Sequence, residues 1–275
     1  MTDFKKKKQY GQNFLTNPDI PRRIVAESGI SENDGVIEIG PGFGILTREL
    51  SKVAKKVISV EIDSELIPIL GENLKDCENV RIINNDILSV DVDALLREEF
   101  ADMDVCVCAN LPYYITSEIV MKLLEGMHRF RSITVMVQKE VADRFCSKSG
   151  SENYSAVTAS ISYYATVKKL FTVKAGCFSP KPKVDSAVIR FDLHEKPPVS
   201  PVDTRMFFEV IRAAFGQRRK TLSNALFASF GDRLSKAEIT AAIEECGLTA
   251  DIRGEMLDIN AFSLIADKMY IKIKK

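Results

Sequence analysis

The sequence predicts an α/β fold with a mostly parallel sheet, followed by a small all-α domain. In residues 1–193, short apolar runs rich in β-branched residues alternate with helical stretches, a pattern typical of a parallel sheet covered on both faces. Beyond a proline-rich segment at 195–201, the pattern is helical to the end, and Gly231, Gly247 and Gly254 lie between short helices.

Five short, apolar runs indicate buried strands, because a strand covered on both faces reads as a continuous hydrophobic run. They are residues 36–39, 57–60, 80–83, 104–109 and 132–137. Two further β-rich segments, 167–173 and 186–193, have no clear helix between them. A parallel connection needs a crossover, so we expect an antiparallel edge there.

Helices are predicted between and after these strands. The first runs to Ser28, with Asn17 as N-cap, Pro18 at the first helical position and Gly29 as the stop. Apolar periodicity predicts the others. They are residues 45–54, 64–75, 117–125, 138–145 and 154–165 before the proline-rich segment, and 204–215, 218–229, 235–245 and 258–269 after it.

The predicted organisation has four parts. Residues 1–12 form a flexible basic arm, and residues 13–195 form the α/β domain. Residues 196–201 form a linker, because three prolines within five residues do not fit regular structure. Residues 202–275 form the helical domain.

Composition excludes several classes of protein. The chain has 275 residues, 45% of them hydrophobic, and zero formal net charge, as in an ordinary soluble protein. No apolar run approaches the ~20 residues of a membrane span, and no secretory signal follows the N-terminal lysines. The six cysteines include no CxxC pair, which indicates reduced thiols in the cytoplasm. With two histidines and no His/Cys cluster, we expect no metal site.

Polar or glycine-rich residues end four predicted strands. They are the turn Gly40-Pro41-Gly42-Phe43-Gly44 and the side chains of Glu61, Asp86 and Asn110. Ligands of an open parallel sheet bind at this edge, and a carboxylate in the position of Glu61 can accept ribose hydroxyls. The edge therefore indicates an adenosine-containing cofactor. The spacing GxGxG departs from the dinucleotide pattern GxGxxG, and no triphosphate-binding GK[ST] is present. S-adenosylmethionine, which carries no phosphate, suits the shorter loop.

The segment Asn110-Leu111-Pro112-Tyr113 has unusual chemistry for a strand end. The Asn110 amide both donates and accepts hydrogen bonds, and Pro112 keeps Leu111 out of the helical region. Tyr113 adds a flat aromatic face. Together these residues are suited to a binding site for a planar group that carries an NH2, such as adenine. On its own, the segment is more typical of a strand followed by a proline turn, with Tyr113 as a partly buried packing residue.

In combination, these motifs resemble the ribosomal RNA adenine dimethyltransferase family, whose members are Rossmann-like class I methyltransferases. The resemblance extends from about Gln9 to Leu222 and includes Gly11-Gln12-Asn13-Phe14-Leu15 and the segment from Phe178 to Ser186. Gln138-Lys139-Glu140-Val141 and the segment from Phe215 to Leu222 resemble the branch that dimethylates two adjacent adenines near the 3′ end of 16S rRNA in the small subunit.

The resemblance implies roles for individual residues. S-adenosylmethionine would contact Asn13, Leu15, Gly40, Glu61, Asp86 and Asn110, together with Gly42 of the same turn. The target adenine would lie between Tyr113 and Phe178. Its N6 amine would be hydrogen-bonded by the Asn110 side chain and a main-chain carbonyl near Leu111, with Pro112 shaping the turn. We expect a monomer that binds no membrane.

Two basic clusters are expected to bind RNA phosphates. They are Lys5, Lys6, Lys7 and Lys8 in the N-terminal arm, and Arg218, Arg219 and Lys220 in the helical domain. For the second cluster, pairing with acidic side chains of the first domain is an equally weighted alternative.

Three other functions stay open at this point. The first is an adenine dimethylase acting on large-subunit rRNA, which the segment Gln217-Arg218-Arg219-Lys220-Thr221-Leu222 argues against. The second is a NAD-dependent oxidoreductase, in which Asn110-Leu111-Pro112-Tyr113 would have no role. The third is a ribosome assembly factor for which RNA binding matters more than catalysis.

Overall fold

The computed structural model describes residues 13–126, 130–217 and 219–274 and divides them into two compact units. The first unit contains the described residues up to Ala142 together with residues 167–193. The second unit contains residues 143–166 and the described residues from His194 onward. The predicted arm, residues 1–12, lies outside the described residues.

The first unit is built on a seven-stranded sheet. Its strands are β2 (Gly35–Ile39), β3 (Lys56–Glu61), β4 (Val80–Asn84), β5 (Val105–Asn110), β6 (Phe130–Gln138), β7 (Ala165–Val173) and β9 (Ser186–Leu193). The spatial order is β4-β3-β2-β5-β6-β9-β7, and β4 to β6 run parallel. β9 is antiparallel to β6, which confirms the predicted antiparallel edge.

Two very short strands lie outside this sheet. β1 (Phe14–Leu15) and β8 (Phe178–Ser179) pair antiparallel with each other in a two-stranded sheet. Strands of two residues carry no periodic signal, and their pairing joins segments that lie more than 160 residues apart. Sequence reasoning did not find them for this reason.

Among the described residues, six helices accompany the seven-stranded sheet. They are α1 (Asp19–Ser28), α2 (Ile45–Ser51), α3 (Ile67–Asn73), α4 (Val92–Phe100), α5 (Thr116–Glu125) and α6 (Lys139–Phe145). α4 was not predicted, although Asp91 caps it by accepting from the Ala94 N–H at 2.9 Å and Val92, Leu95 and Phe100 are buried. Gly29 ends α1 in the left-handed region at φ 71°, as predicted.

The second unit contains five helices and its own hydrophobic core. The helices are α7 (Ala156–Tyr164), α8 (Thr204–Gly216), α9 (Leu222–Phe230), α10 (Lys236–Glu244) and α11 (Ile259–Lys274). Phe207, Phe230 and Phe262 are fully buried at its centre. α9 begins at residue 222 rather than at the predicted 218, because the Thr221 side chain accepts from the Asn224 N–H and caps the helix there.

Residues 143–166 belong to the second unit, whereas the sequence analysis assigned them to the first domain. Tyr154 and Ala159 pack in the same buried cluster as Phe207 and Phe262. Apolar periodicity shows that α7 has a buried face, but it does not show which of two cores covers that face. Residues 196–201 contain no helix or strand.

Within the described ranges, no helix has the length and the apolar character needed to cross a membrane.

Gly35, the first residue of β2, has no room for a side chain. A Cβ atom there would overlap the ring of Phe100, which is buried. We expect Gly35→Ala to lower the free energy of unfolding by about 1–3 kcal/mol, because a packed ring must move. Gly71→Ala is the control, since nothing lies within 4 Å of that Cβ position and alanine favours the helix. Urea unfolding of both variants checks this, and equal stability would contradict the packing argument.

Candidate cofactor and substrate site

A cleft opens at the carboxyl ends of β2, β3 and β5, within the first unit. The chain runs from β2 to β3 and β4 on one side and then crosses to β5 on the other, so the cleft lies at the switch point of the sheet. Most of the predicted site residues line it: Asn13, Leu15, Gly40, Gly42, Glu61, Asn110, Leu111, Pro112 and Tyr113.

The glycine turn after β2 allows a ligand to approach the backbone closely. Gly40 and Gly42 both have positive φ, at 66° and 62°. A Cβ atom on Gly42 would lie only 3.0 Å from the ring of Phe14. A side chain at this position would therefore be strained in its backbone and would also displace an aromatic wall of the cleft.

Glu61, at the end of β3, is tied to the glycine turn. One carboxylate oxygen accepts from the Gly42 N–H at 3.2 Å, and the other accepts from the Asp63 N–H at 2.9 Å. Burial raises the pKa of Glu61, and the backbone hydrogen bonds oppose that rise. Each oxygen keeps a second lone pair, so the carboxylate both holds the loop and has acceptor capacity for ribose hydroxyls.

Glu38 lies on β2, next to the strand that Glu61 ends. It is a buried carboxyl group that the sequence analysis did not select. It is 1% exposed and lines the cleft. Its Oε2 accepts from the Thr47 hydroxyl at 2.6 Å and from the Ser59 hydroxyl at 2.7 Å. Burial raises its pKa to about 7, with a further contribution from nearby Glu61. Its position directly before the glycine turn was a sequence signal that could have identified it.

Asn110 ends β5 at the rim of the cleft. Its Nδ2 donates to the main-chain carbonyl of Asn13 at 3.3 Å, which links β5 to the segment that carries β1. The backbone beyond it is anchored as well, because the Leu111 N–H donates to the Met136 carbonyl at 3.1 Å. Leu111 is buried, so its side chain fixes the turn.

Tyr113 follows Pro112 and is partly buried. Its hydroxyl forms a 2.7 Å hydrogen bond with the Ser186 hydroxyl at the start of β9. The Thr116 hydroxyl donates to the Pro112 carbonyl at 3.0 Å, which joins the turn to the first residue of α5. These contacts hold the Tyr113 ring in one orientation beside the cleft.

Two predicted site residues do not line the cleft. Asp86 lies beyond β4, where its carboxylate accepts from the Leu88 N–H at 2.9 Å and closes a turn. Phe178 is buried at 4% exposure and packs with Leu15 in the core of the first unit. Their roles as cofactor and adenine contacts stay predictions.

Aromatic and aliphatic walls complete the cleft and were not predicted. The rings of Phe14 and Phe43 lie 4.3 Å apart between centroids. Ile62 and Leu66 line the side next to Glu61. Apolar walls with a few polar groups are typical of a site for a small organic molecule. In the part of the chain that is described, no three His, Cys, Asp or Glu side chains come together as a metal site.

The basic cluster is in the second unit, between α8 and α9. Arg219 and Lys220 are exposed, and neither forms an ion pair with a described residue of that unit. The side chain of Arg218 and residues Lys5 to Lys8 lie outside the described part of the chain. RNA binding by all these residues stays a prediction.

Comparison with known proteins gives consistent matches. The sequence model of the family "Ribosomal RNA adenine dimethylase" matches residues 3–263. The chain is 44% identical to "Ribosomal RNA small subunit methyltransferase A" of Shouchella clausii, over 99% of this chain and 92% of the relative.

Two solved structures have similar folds. A dimethyladenosine transferase from Plasmodium falciparum superposes with a TM-score of 0.81 at 27% identity, over 94% of this chain and 98% of that one. The 23S rRNA methyltransferase ErmE superposes with a TM-score of 0.71 at 24% identity, over 94% and 100%. The second match shows the fold alone.

Glu38 makes stability depend on pH. Its folded pKa of about 7 lies above the ordinary value of 4.5, so the folded protein holds the proton more tightly than the unfolded chain. The stabilisation is complete below about pH 4.5 and is lost as pH rises to about 7. Glu38→Gln removes this dependence because glutamine does not titrate. Its side-chain oxygen keeps an acceptor for both hydroxyls.

Between pH 4.5 and pH 8, we therefore expect the unfolding free energy of Glu38→Gln to rise relative to wild type by roughly 3 kcal/mol. Urea unfolding at constant ionic strength across this range measures the difference. A difference that does not change with pH would show that folding leaves the pKa of Glu38 unshifted.

Proposed function

The chain belongs to the ribosomal RNA adenine dimethylase family, and we propose that it transfers methyl groups from S-adenosylmethionine to N6 of two adjacent adenines near the 3′ end of 16S rRNA. The observation that carries the proposal is the position of Asn110-Leu111-Pro112-Tyr113, which lies on the same cleft as the glycine turn and Glu61. An adenine-binding strand end thus lies next to a cofactor-binding edge.

The donor set of the cleft fits S-adenosylmethionine, which supplies an electrophilic methyl group when it is bound. Glu61 would accept the ribose hydroxyls, and Ile62 and Leu66 would cover the apolar part of the cofactor. Gly40 and Gly42 line the cleft with backbone and place no side chain in it. We also assign Asn13 and Leu15 to this cofactor, because they line the same wall.

Asn110 would polarise the target amine. The lone pair of an exocyclic amine is delocalised into the ring, so the amine is a poor nucleophile. Hydrogen bonds from N6–H to the Asn110 side-chain oxygen and to a main-chain carbonyl near Leu111 would favour a pyramidal nitrogen and aim its lone pair at the methyl group. This chemistry requires positioning more than a strong base.

Tyr113 and Phe178 would hold the adenine ring after it leaves its stack in the RNA. Tyr113 is already oriented by its hydrogen bond to Ser186. Phe178 is buried in the structure, so stacking by Phe178 requires movement of the segment that carries β8. Base stacking contributes about 1–3 kcal/mol per base.

Two observations favour the small subunit as the substrate. The 44% identical relative is named for that subunit. The segment Gln217-Arg218-Arg219-Lys220-Thr221-Leu222 carries the same resemblance. We propose a monomer that acts in the cytoplasm, where its rRNA substrate lies, and binds no membrane. A further role as an assembly factor would use the same RNA-binding surfaces.

Methyl transfer to purified ribosomal subunits tests the function directly. We expect labelled methyl groups from S-adenosylmethionine in unmodified small subunits, recovered as N6,N6-dimethyladenosine after nucleoside analysis. Large subunits and naked rRNA serve as controls. Label in large-subunit RNA would assign the chain to the other substrate. Cofactor binding without any transfer would favour an assembly factor.

Asn110→Ala is expected to lower kcat by roughly 100-fold, as loss of a single preorganised polar contact to the reacting group does elsewhere. RNA affinity should change little, because phosphate contacts supply most of it. Asn85→Ala is the matched control, since Asn85 also follows a strand but does not line the cleft. Single-turnover rates and filter binding measure both quantities, and equal losses in rate and affinity would refute the assignment.

Arg219 and Lys220 are expected to contact RNA phosphates. Replacing both by Gln should weaken RNA binding and reduce the slope of log affinity against log salt by about 1–2. Lys52 and Lys75, which are exposed in the first unit, give a control pair with the same loss of charge. Filter binding at several salt concentrations measures the slopes. The same slope for both pairs would show that the cluster has no special role.

A further inference from the structure

The Asn110 side chain is held in one of its two amide orientations. Its Nδ2 donates to the main-chain carbonyl of Asn13 at 3.3 Å. A side-chain amide carries its NH2 donor and its oxygen acceptor on the same carbon, in one plane and pointing in different directions. With the donor end engaged by Asn13, the acceptor oxygen Oδ1 is the end left for the cleft that Asn110 lines.

The orientation matters for the proposed reaction. If the amide rotated by 180°, its NH2 would face the N6–H of the adenine, and two donors would meet. Such a pair cannot polarise the amine, and it would also lose a hydrogen bond in a partly buried site. An acceptor that faces the base is therefore a condition for the Asn110 role described above.

We propose that the Asn13 main-chain carbonyl is a positioning group for methyl transfer, because it selects the Asn110 orientation that accepts from the target amine. This inference rests on the proposed function and adds a role for Asn13 beyond cofactor contact. Asn13 acts through Asn110 and needs no contact with the adenine.

The segment after Asn13 is anchored so that this carbonyl stays in place. Phe14 and Leu15 pair with Ser179 and Phe178. The Thr16 N–H and hydroxyl both donate to the Cys177 carbonyl, at 2.9 Å and 3.1 Å.

The opposite face of the same segment carries the Phe14 ring. This ring packs against Phe43, with 4.3 Å between centroids, and leaves no room for a Cβ atom on Gly42. One short strand therefore connects the glycine turn, the amide of Asn110 and the segment that carries Phe178.

An ester bond in place of the amide between Asn13 and Phe14 tests the proposal. Incorporating phenyllactic acid at position 14 by nonsense suppression makes the Asn13 carbonyl a weaker acceptor and leaves every side chain unchanged. The matched control carries leucic acid at position 15, which weakens the Phe14 carbonyl instead. Each ester removes one backbone N–H from β1 and weakens one backbone carbonyl of the same segment.

We expect kcat of the position-14 ester, at saturating RNA and S-adenosylmethionine, to be roughly two- to tenfold below that of the position-15 ester. KM for RNA and Kd for S-adenosylmethionine should agree within about twofold, and the two Tm values should be similar. A merely structural contact would instead lower Tm and leave kcat equal in the two proteins, which would overturn the proposal. Wild-type protein that transfers no methyl group would refute the proposed function itself.

Hydrogen exchange of the Asn110 side chain gives a second measurement on the unmodified chain. The Asn110 NH2 signal is assigned in protein with 15N-labelled asparagine by its absence from Asn110→Ala. We expect it to exchange with solvent more slowly than the signal of exposed Asn85. Equally fast exchange of the two signals would overturn the proposal, because the donor would not be held.

Discussion

The site depends on one constraint, which is that β2 is hydrogen-bonded in parallel on both sides. β3 and β5 pair with it in register, so that the chain leaves all three strands at one edge. Gly40, Glu61 and Asn110 are separated by up to 70 residues in sequence but lie around a single cleft. Each is the last residue of its strand or the first beyond it. A shift of one residue in any of these strands would turn its side chains to the opposite face of the sheet.

Two buried carboxyl groups line that cleft, and each is compensated by hydrogen bonds. Glu38 is satisfied by two hydroxyl donors, and Glu61 is satisfied by two backbone N–H groups. Unpaired buried charges would cost several kcal/mol, and here each oxygen that carries a hydrogen bond also fixes a neighbouring loop or strand. The raised pKa of Glu38 follows from the same burial that shapes the cofactor edge. The hydrogen bonds that hold the cleft and the raised pKa of Glu38 thus both follow from the burial of these carboxyl groups.

Both residues of the short strand β1 line the cleft. The strand reaches Cys177 and Phe178 on one side and the glycine turn on the other. The main-chain carbonyl of Asn13, just before β1, is the acceptor for the Asn110 amide. Because a strand of two residues has little stability of its own, its position depends on these contacts to residues distant in sequence. The same short segment therefore contacts both the glycine turn and the amide of Asn110.

Sequence patterns were sufficient to predict the α/β class, the mostly parallel sheet, its antiparallel edge and the all-helical C-terminal region. These follow from local periodicity, from glycine and proline positions, and from the handful of motifs at strand ends. Gly42, Glu61, Asn110 and Tyr113 were predicted for the cleft and line it, because residues at the carboxyl ends of parallel strands meet at one edge.

The three-dimensional structure was needed to show which core covers α7, how β1 pairs with β8, and that Glu38 is buried beside Thr47 and Ser59. It also placed Asp86 and Phe178 away from the lining of the cleft. Such features arise from contacts between segments far apart in the chain. Apolar periodicity indicates that a face is buried or that a strand ends. It does not indicate which residues from distant parts of the chain contact that face or that strand end.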